Sequence, residues 1–180
     1  MKKINAIDLD KTLIPFDSFR ALIVSYLKRK SFLTPVTYYT VLRKMRVIKS
    51  GEFKHRSLKI IRQDGHYQNM IQDLAGRIMS AVRPDIIKII NCETDLETIN
   101  VLISASPANY VRLVAKGLGW PYLASEIIDG EFVNCYGQKK IELLGKHYPK
   151  NKFVYNFAIS DSQSDMPLLE MFTNHMIVSK

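Results

Sequence analysis

Two aspartates near the start of the chain have the type and spacing that catalysis requires. Asp8 and Asp10 stand two residues apart in the sequence Asp8-Leu9-Asp10-Lys11-Thr12, at the end of a predicted buried strand. One carboxylate of such a pair can attack phosphorus, while the other holds and delivers a proton. Acid pairs of this spacing are common on protein surfaces, but a pair followed by threonine directly after an apolar strand is a much stronger signal.

Three further polar clusters fall where other strands or loops are predicted to end. They are Ser104-Ala105-Ser106, Gly137-Gln138-Lys139-Lys140 and Asp161-Ser162-Gln163-Ser164-Asp165. A hydroxyl before a helix N-terminus offers donors to a phosphate, a lysine neutralises phosphate charge, and two acids four residues apart can hold a hard cation. Taken singly, each cluster has an ordinary alternative: a helix cap, a solvated lysine, or an N-cap with an acid in the first turn.

Taken together, the four clusters form an ordered series of acid pair, hydroxyl, lysine and acid pair. This order resembles the haloacid dehalogenase superfamily of phosphohydrolases over essentially the whole chain. The nearest pattern is the phosphoserine-phosphatase-like branch (subfamily IB type), whose helical cap is inserted just after the first motif. The stretches that look like this branch are Ser104-Ala105-Ser106-Pro107, the Asp129-Gly130 hairpin signal, and the run from Asp161 through Asp165 to Pro167-Leu168-Leu169.

The resemblance implies a role for each of these residues. Asp8 resembles the nucleophile that becomes an aspartyl-phosphate, and Asp10 resembles the general acid that then serves as base. The residues implied in phosphate binding are Ser104, Ala105, Lys140 and Thr12, the threonine as a support for the motif loop. Lys139 competes with Lys140, but Lys140-Ile141 fits the family's lysine-plus-aliphatic pattern better. The implied cofactor is Mg²⁺, and its ligands would be Asp8, Asp161, the Asp10 backbone carbonyl and, as an auxiliary ligand, Asp165.

Position 10 also separates branches of this superfamily. Dehalogenases lack the second acid and the ATP-driven pumps carry threonine there, so Asp10 favours a phosphatase that completes hydrolysis. The charges agree with this reading, because attack of a carboxylate on a phosphate dianion brings like charges together. A bound Mg²⁺ and a lysine would lower that barrier by several kcal/mol.

The substrate is less well defined by the resemblance. Asp17 matches the position where phosphoserine phosphatases place an acid that holds the substrate amino group, although it could equally be the N-cap of a helix. Those phosphatases also carry a cap phenylalanine followed seven residues later by an arginine. If Phe53 is that phenylalanine, Ile60 takes the arginine position, and only a shifted register would bring in Arg56 or Arg62. Phosphoserine is therefore not favoured, and Asp17 and Arg56 are kept as candidate specificity residues.

The elements that must position these residues alternate between strand and helix. Strands are predicted over 3–8, 101–103, 153–159 and 176–178, a hairpin over 122–134, and helices from Ser106 as N-cap to 117 or 119, over 138–145 and over 164–172. This alternation predicts an α/β fold, a Rossmann-like three-layer core with a parallel sheet between helices. Ligands of such sheets bind outside the carboxyl ends of the strands, which is where the polar clusters lie.

A long helical block separates the first predicted strand from the second. Apolar residues at helical spacing predict four or five helices from 17 to about 90, with no strand between them. This block is too long for a simple crossover. We therefore predict an inserted all-helical cap over 16–95, with the catalytic core formed by 1–15 and 96–180.

The positive charge of the chain is concentrated in the predicted cap. The net charge is +9, and the segment 20–69 holds 12 Lys or Arg against 2 acidic residues, a balance of +10. Such asymmetry favours an anionic partner, although a solvated helical face would also account for it. If the charge captures substrate, the candidate residues are Arg43, Arg46, Lys54, Arg56 and Arg62. An anionic membrane surface is an alternative partner, whereas a non-catalytic nucleic-acid-binding role would leave the acid pair unexplained.

Length and composition limit the classes of protein to which the chain can belong. The 180 residues suffice for one core with a small accessory unit. No apolar run approaches the roughly 20 residues that span a bilayer, and the N-terminus lacks the apolar stretch of a signal peptide. Two cysteines do not make a disulfide framework, which favours the cytoplasm. The sequence thus predicts a cytoplasmic, Mg²⁺-dependent hydrolase of a small phosphomonoester, with a membrane-surface phospholipid phosphatase or a non-catalytic anion-binding module as alternatives.

Overall fold

The computed structural model describes residues 1–30 and 33–178, which form a six-stranded sheet with helices on both faces. The strands are β1 (Lys2–Ile7), β2 (Thr98–Pro107), β3 (Tyr122–Ile128), β4 (Glu131–Val133), β5 (Phe153–Ser160) and β6 (Asn174–Ile177), in the order β4-β3-β2-β1-β5-β6. All neighbouring strands pair in parallel except β3 and β4. The predicted Rossmann-like α/β fold is confirmed.

The register of the central strands brings the polar clusters to one edge of the sheet. Ile7 of β1 lies opposite Leu102 of β2 and Ile159 of β5. The chain therefore leaves all three strands at the same edge, with the first acid pair in the middle and Ser104 and Asp161 on either side.

In the described part of the chain, five helices lie between β1 and β2, as the apolar spacing predicted, and we call this helical block the cap. They are α1 (Ser18–Arg29), α2 (Pro35–Lys44), α3 (Ser50–Ile61), α4 (Tyr67–Ser80) and α5 (Pro84–Cys92). Later in the chain come α6 (Ala108–Leu118), α7 (Gln138–His147) and α8 (Met166–Leu169), the last preceded by one 3₁₀ turn. Of the helices in the described part of the chain, none combines the length and apolarity that crossing a bilayer requires.

Apolar side chains pack on both faces of the sheet. Alternation along β1 sends Ile4 and Ala6 to a cluster with α7 and α8, and sends Ile7 to the opposite face. The opposite cluster is continuous from the sheet through α6 into the cap, where it includes Leu22 and Leu74. The cap thus shares its apolar core with the sheet, and the boundaries 1–15, 16–95 and 96–180 remain a prediction.

Local details differ from the sequence-based expectation in two places. Ser106 does not cap a helix: β2 extends to Pro107 and α6 begins at Ala108, because the Ser106 hydroxyl bonds to Asp10 instead. The predicted helix over 164–172 is also shorter, since the chain returns to the sheet where the Thr173 N–H donates to the Tyr155 carbonyl.

The predicted hairpin turn is confirmed. Asp129 and Gly130 form the two-residue connection between β3 and β4, and both have positive φ angles, 50° and 82°. This is the combination that a tight hairpin turn requires.

Candidate active site

A cavity of about 430 Å³ opens at the carboxyl edge of the sheet, and we call it the edge cavity. Every polar cluster of the sequence contributes to it. Its lining includes Asp8, Asp10, Ser104, Ala105, Lys140, Asp161 and Asp165 from the sheet and its connections, Asp17 at the start of α1, and Ser50 and Lys54 of α3. Residues far apart in the chain therefore meet in one site.

Asp8 lies at the centre of a buried network of charges. The Lys140 ammonium donates to Asp8 Oδ1 and to Asp165 Oδ2, each at 2.7 Å, and Ser160 donates to the same oxygen of Asp165. Burial raises the pKa of Asp8 to about 6, although Lys140 pulls it down. Burial also disfavours the ammonium, but the two carboxylates outweigh it and raise the pKa of Lys140.

The neighbouring lysine takes no part in this network. Lys139 pairs with Glu142 at 2.7 Å on the exposed side of α7. Lys140 is therefore the lysine that the fold presents to the cavity, because successive residues at the start of a helix point in different directions.

Thr12 connects the first acid pair to the last. It is fully buried, donates to Asp8 Oδ2 at 3.3 Å and accepts from the Asp161 N–H at 2.8 Å. It is absent from the cavity lining. The Thr12 hydroxyl thus supports the loop from beneath, as the resemblance implies, and its grouping with the phosphate-binding residues stays a prediction.

Asp10 is held by a chain of buried hydroxyl groups. The Ser106 hydroxyl donates to Asp10 Oδ2 at 2.5 Å, and the Ser18 N–H donates to Asp10 Oδ1 at 2.7 Å. The Ser18 hydroxyl lies 2.9 Å from that of Ser106 and 3.0 Å from that of Tyr110. Burial raises the pKa of Asp10, while the bonds from both serines lower it.

Sequence reasoning missed this hydroxyl chain. Ser18 lies 88 positions before Ser106 and 92 positions before Tyr110 in the chain. No local pattern links them, and the only available signal was a pair of polar residues beside otherwise apolar helical positions.

One cap lysine reaches the sheet edge. Lys54 of α3 donates to the Ala105 carbonyl at 2.6 Å, an oxygen that also accepts from Ser125 at 2.8 Å. Burial lowers the pKa of Lys54. The sequence alone groups this lysine with four arginines, and only its contact with the end of β2 distinguishes it.

A second cavity of about 500 Å³, the cap cavity, adjoins the first. The two share Asp10, Asp17, Ser50 and Lys54. The remaining lining combines basic and apolar side chains with one threonine and one serine: Arg20, Arg43, Lys44, Phe19, Ile23, Phe53, Thr40 and Ser106. The ion pairs in the described part of the chain include none of the three basic residues.

The two candidate specificity residues have different positions. Asp17 caps α1 by accepting from the Arg20 N–H at 2.8 Å, and it also lines both cavities. Arg56 pairs with Glu52 at 2.6 Å and lies over the Tyr39 ring, 5.4 Å from its centroid. It lines neither cavity, so the structure does not bring Arg56 to the site.

The cavity chemistry suits a small hard cation. Asp8, Asp10 and Asp161 line the edge cavity with oxygen atoms, while Asp165 is already paired with Lys140. In residues 1–30 and 33–178, no group of three or more His, Cys, Asp or Glu side chains is arranged as a complete metal cage. Mg²⁺ fits such a partial set, because it usually takes one or two carboxylates and completes its shell with water and substrate phosphate.

The fold and the site together define the class of protein. The sequence model of the haloacid dehalogenase-like hydrolases matches residues 6–170. The chain therefore belongs to the haloacid dehalogenase-like hydrolase family. No match was found among curated proteins.

Solved structures share the fold at low sequence identity. A HAD-family hydrolase from Salmonella enterica serovar Typhi has a TM-score of 0.70 and 16% identity, covering 94% of this chain but only 60% of its own. A Bordetella pertussis protein of unknown function has a TM-score of 0.74 and 15% identity, and the match covers 98% of this chain and 90% of that protein. A phosphoserine phosphohydrolase-like protein from Francisella tularensis has a TM-score of 0.65 and 21% identity, and the match covers 98% of this chain and 87% of that protein.

Proposed function

We propose that the protein is a Mg²⁺-dependent phosphomonoester hydrolase that acts on a small phosphorylated metabolite through an aspartyl-phosphate on Asp8. The observation that carries this proposal is the arrangement at the sheet edge. Asp8 bonds to a buried lysine at 2.7 Å, and Asp10, which a separate set of donors holds, lines the same cavity. A cytoplasmic location, which the cysteine content favours, is part of the proposal.

In the first half-reaction, an Asp8 carboxylate oxygen attacks phosphorus and the bond from phosphorus to the leaving oxygen breaks. Asp10 transfers its proton to that oxygen, so the oxygen leaves as a hydroxyl group and not as an alkoxide. Because burial raises the pKa of Asp10, a protonated Asp10 is easier to form here than in water.

In the second half-reaction, the Asp10 carboxylate accepts a proton from water as the water oxygen attacks phosphorus. The bond between phosphorus and Asp8 breaks, which releases phosphate and restores the Asp8 carboxylate. Asp10 is left protonated for the next cycle. The same residue serves both steps, since acid catalysis in one direction requires base catalysis in the other.

Three hydrogen-bond donors at the edge of the sheet would bind the transferred phosphoryl group. The Ser104 hydroxyl, the Ala105 N–H and the Lys140 ammonium are the groups we assign to it. A bound Mg²⁺, held by Asp8, Asp161 and the Asp10 carbonyl with Asp165 as an auxiliary group, would supply further neutralisation of the phosphoryl charge.

The leaving group would extend into the cap cavity. That cavity adjoins Asp10, the residue that protonates the leaving oxygen, and it is lined by Arg20, Arg43 and Lys44 beside apolar side chains. A leaving group with its own negative charge on a short carbon skeleton suits this lining. Its volume of about 500 Å³ is that of a small-molecule site.

Hydrolysis of 4-nitrophenyl phosphate tests the function. We expect turnover with Mg²⁺, loss in chelator, inhibition by Ca²⁺, and no turnover in Asp8→Asn, which removes one charge from a nearly isosteric side chain. Asp73→Asn, an equivalent change at an exposed position of α4, should retain activity. Full activity in chelator or in Asp8→Asn would refute the proposal, and a salt-sensitive nucleic-acid complex without hydrolysis would favour the non-catalytic alternative.

A further inference from the structure

The outer face of α2 exposes apolar side chains beside positive charge. Tyr38, Val41 and Met45 follow one another at spacings of three and four residues, which places them on one side of the helix. They are 60%, 49% and 67% exposed. Leu33 before the helix and Val47 after it are exposed as well. We call these five residues the α2 surface.

This exposure is concentrated rather than scattered. Of the twelve large apolar residues that are exposed in the described part of the chain, six lie within residues 24–47. Single exposed apolar residues need no explanation, but a cluster on one face marks an interaction site.

The opposite side of α2 already has a structural role. Val36 is fully buried, and Thr40 and Arg43 line the cap cavity. The helix is therefore fixed with its inner side against the cap, and the α2 surface is left facing outward.

The charge around the α2 surface is of one sign. Residues 18–51 contain eight Lys or Arg and no Asp or Glu. Lys44, Arg46 and Lys49 are exposed in the segment that carries Met45 and Val47. A partner of this surface must tolerate apolar insertion and supply negative charge.

We propose that the α2 surface docks the protein on an anionic lipid membrane. Apolar side chains that enter the interface and cations that contact acidic headgroups are the two components of peripheral membrane binding. A second copy of the chain is a poorer partner, because two such basic surfaces repel each other. Nucleic acid would satisfy the cations but leave Val41, Met45 and Val47 against a charged backbone.

Docking through α2 would also bring the catalytic site to the membrane. Arg43 and Lys44, at the end of the same helix, line the cap cavity. A phosphomonoester held among lipid headgroups would thus meet the site from the side of the leaving group. The docking itself does not depend on the proposed hydrolysis.

Vesicle co-sedimentation tests the docking. The full chain should bind phosphatidylcholine–phosphatidylglycerol vesicles at low salt, release them as salt rises, and ignore vesicles of phosphatidylcholine alone. The double change Met45→Ser and Val47→Ser should lower the partition coefficient by about tenfold. Leu96→Ser, at a fully exposed position distant from α2 in the chain, is the matched control and should bind as the wild type does.

A fluorescence experiment separates insertion from charge attraction. Emission of Met45→Trp should shift to the blue when phosphatidylglycerol vesicles are added, whereas Leu96→Trp should show no shift; Trp120 gives the same background in both. Absence of binding at low salt, equal loss in Leu96→Ser, or binding without a shift in Met45→Trp would each overturn the proposal. So would self-association or nucleic-acid binding that is abolished by Met45→Ser and Val47→Ser.

Discussion

At the residue scale, the position of Asp10 matters as much as its identity. Its two carboxylate oxygens accept from different donors, Ser106 at one and the Ser18 N–H at the other. With Asp10 ionised, Ser106 uses its hydrogen on the carboxylate, so Ser18 donates to Ser106 and Tyr110 donates to Ser18. The three hydroxyl groups therefore fix one orientation of the carboxylate.

Replacement of Asp10 should separate the two half-reactions. Asp10→Asn keeps the size of the side chain but cannot give or take the proton, so we expect turnover to fall by about 10²–10⁴-fold. Phosphoenzyme should accumulate, because activation of water has no second base. Acid-quench labelling with a ³²P substrate measures it, and a variant that turns over at the wild-type rate would contradict the assignment.

Loss of the Ser106 hydroxyl should reduce catalysis without weakening binding. Ser106→Ala removes a hydrogen bond to a charged group, which is worth about 1.5–3 kcal/mol, so kcat should fall by about tenfold or more. Tyr110 contacts Asp10 only through Ser18 and Ser106, so Tyr110→Phe should lower kcat as well, but by a smaller factor.

The ratio of kcat to KM distinguishes positioning from a general structural defect. We expect KM to stay near the wild-type value in both variants, while circular dichroism stays unchanged. A rise in KM with constant kcat would mean that Ser106 binds substrate instead of orienting Asp10.

At the element scale, α2 has two sides with separate tasks. Its inner side gives Arg43 to the cap cavity, so Arg43→Gln should raise KM for an anionic metabolite by about tenfold, the loss of roughly 1.4 kcal/mol. KM for 4-nitrophenyl phosphate should change less, since its leaving group has no second charge. Arg29→Gln, on the exposed end of α1, is the control; equal effects of both variants would exclude a specific contact.

Packing of α4 against α6 joins the cap to the core. Leu74 is almost fully buried in the apolar cluster that contains Tyr110 and Val111 of α6. Leu74→Ala should therefore lower the free energy of unfolding by about 2–5 kcal/mol. Urea denaturation measures this, and Leu96→Ala, fully exposed, should change it by less than about 0.5 kcal/mol.

At the scale of the whole molecule, the cap and the core should unfold together. The apolar cluster on one face of the sheet is continuous from Ile7 and Leu102 into Leu22 and Leu58 of the cap. Neither part can lose its packing without exposing the other. We expect one cooperative transition in urea, with helix content by circular dichroism and Trp120 fluorescence changing at the same midpoint. Two separated midpoints would show that the cap folds independently.

The sequence by itself determined the order of elements and the class of chemistry. Apolar spacing distinguishes helices from strands because side chains repeat every 3.6 residues in one and every 2 in the other. The rule that ligands bind at the carboxyl ends of parallel strands then places Asp8, Ser104 and Asp161 at one edge of the sheet. Asp129-Gly130 likewise predicts the hairpin turn between β3 and β4, because these two residue types tolerate the positive φ angles that the turn requires.

Only the tertiary structure decided which polar side chains reach that edge. Lys54 enters the site while Arg56, two positions later, pairs with Glu52, because the direction of a helical residue depends on how the helix packs. Ser106, predicted to cap a helix, turns to Asp10, and Ser18 contacts Ser106 and Tyr110 across 88 and 92 positions. Such contacts depend on the relative placement of distant elements, and local sequence patterns carry no record of that placement.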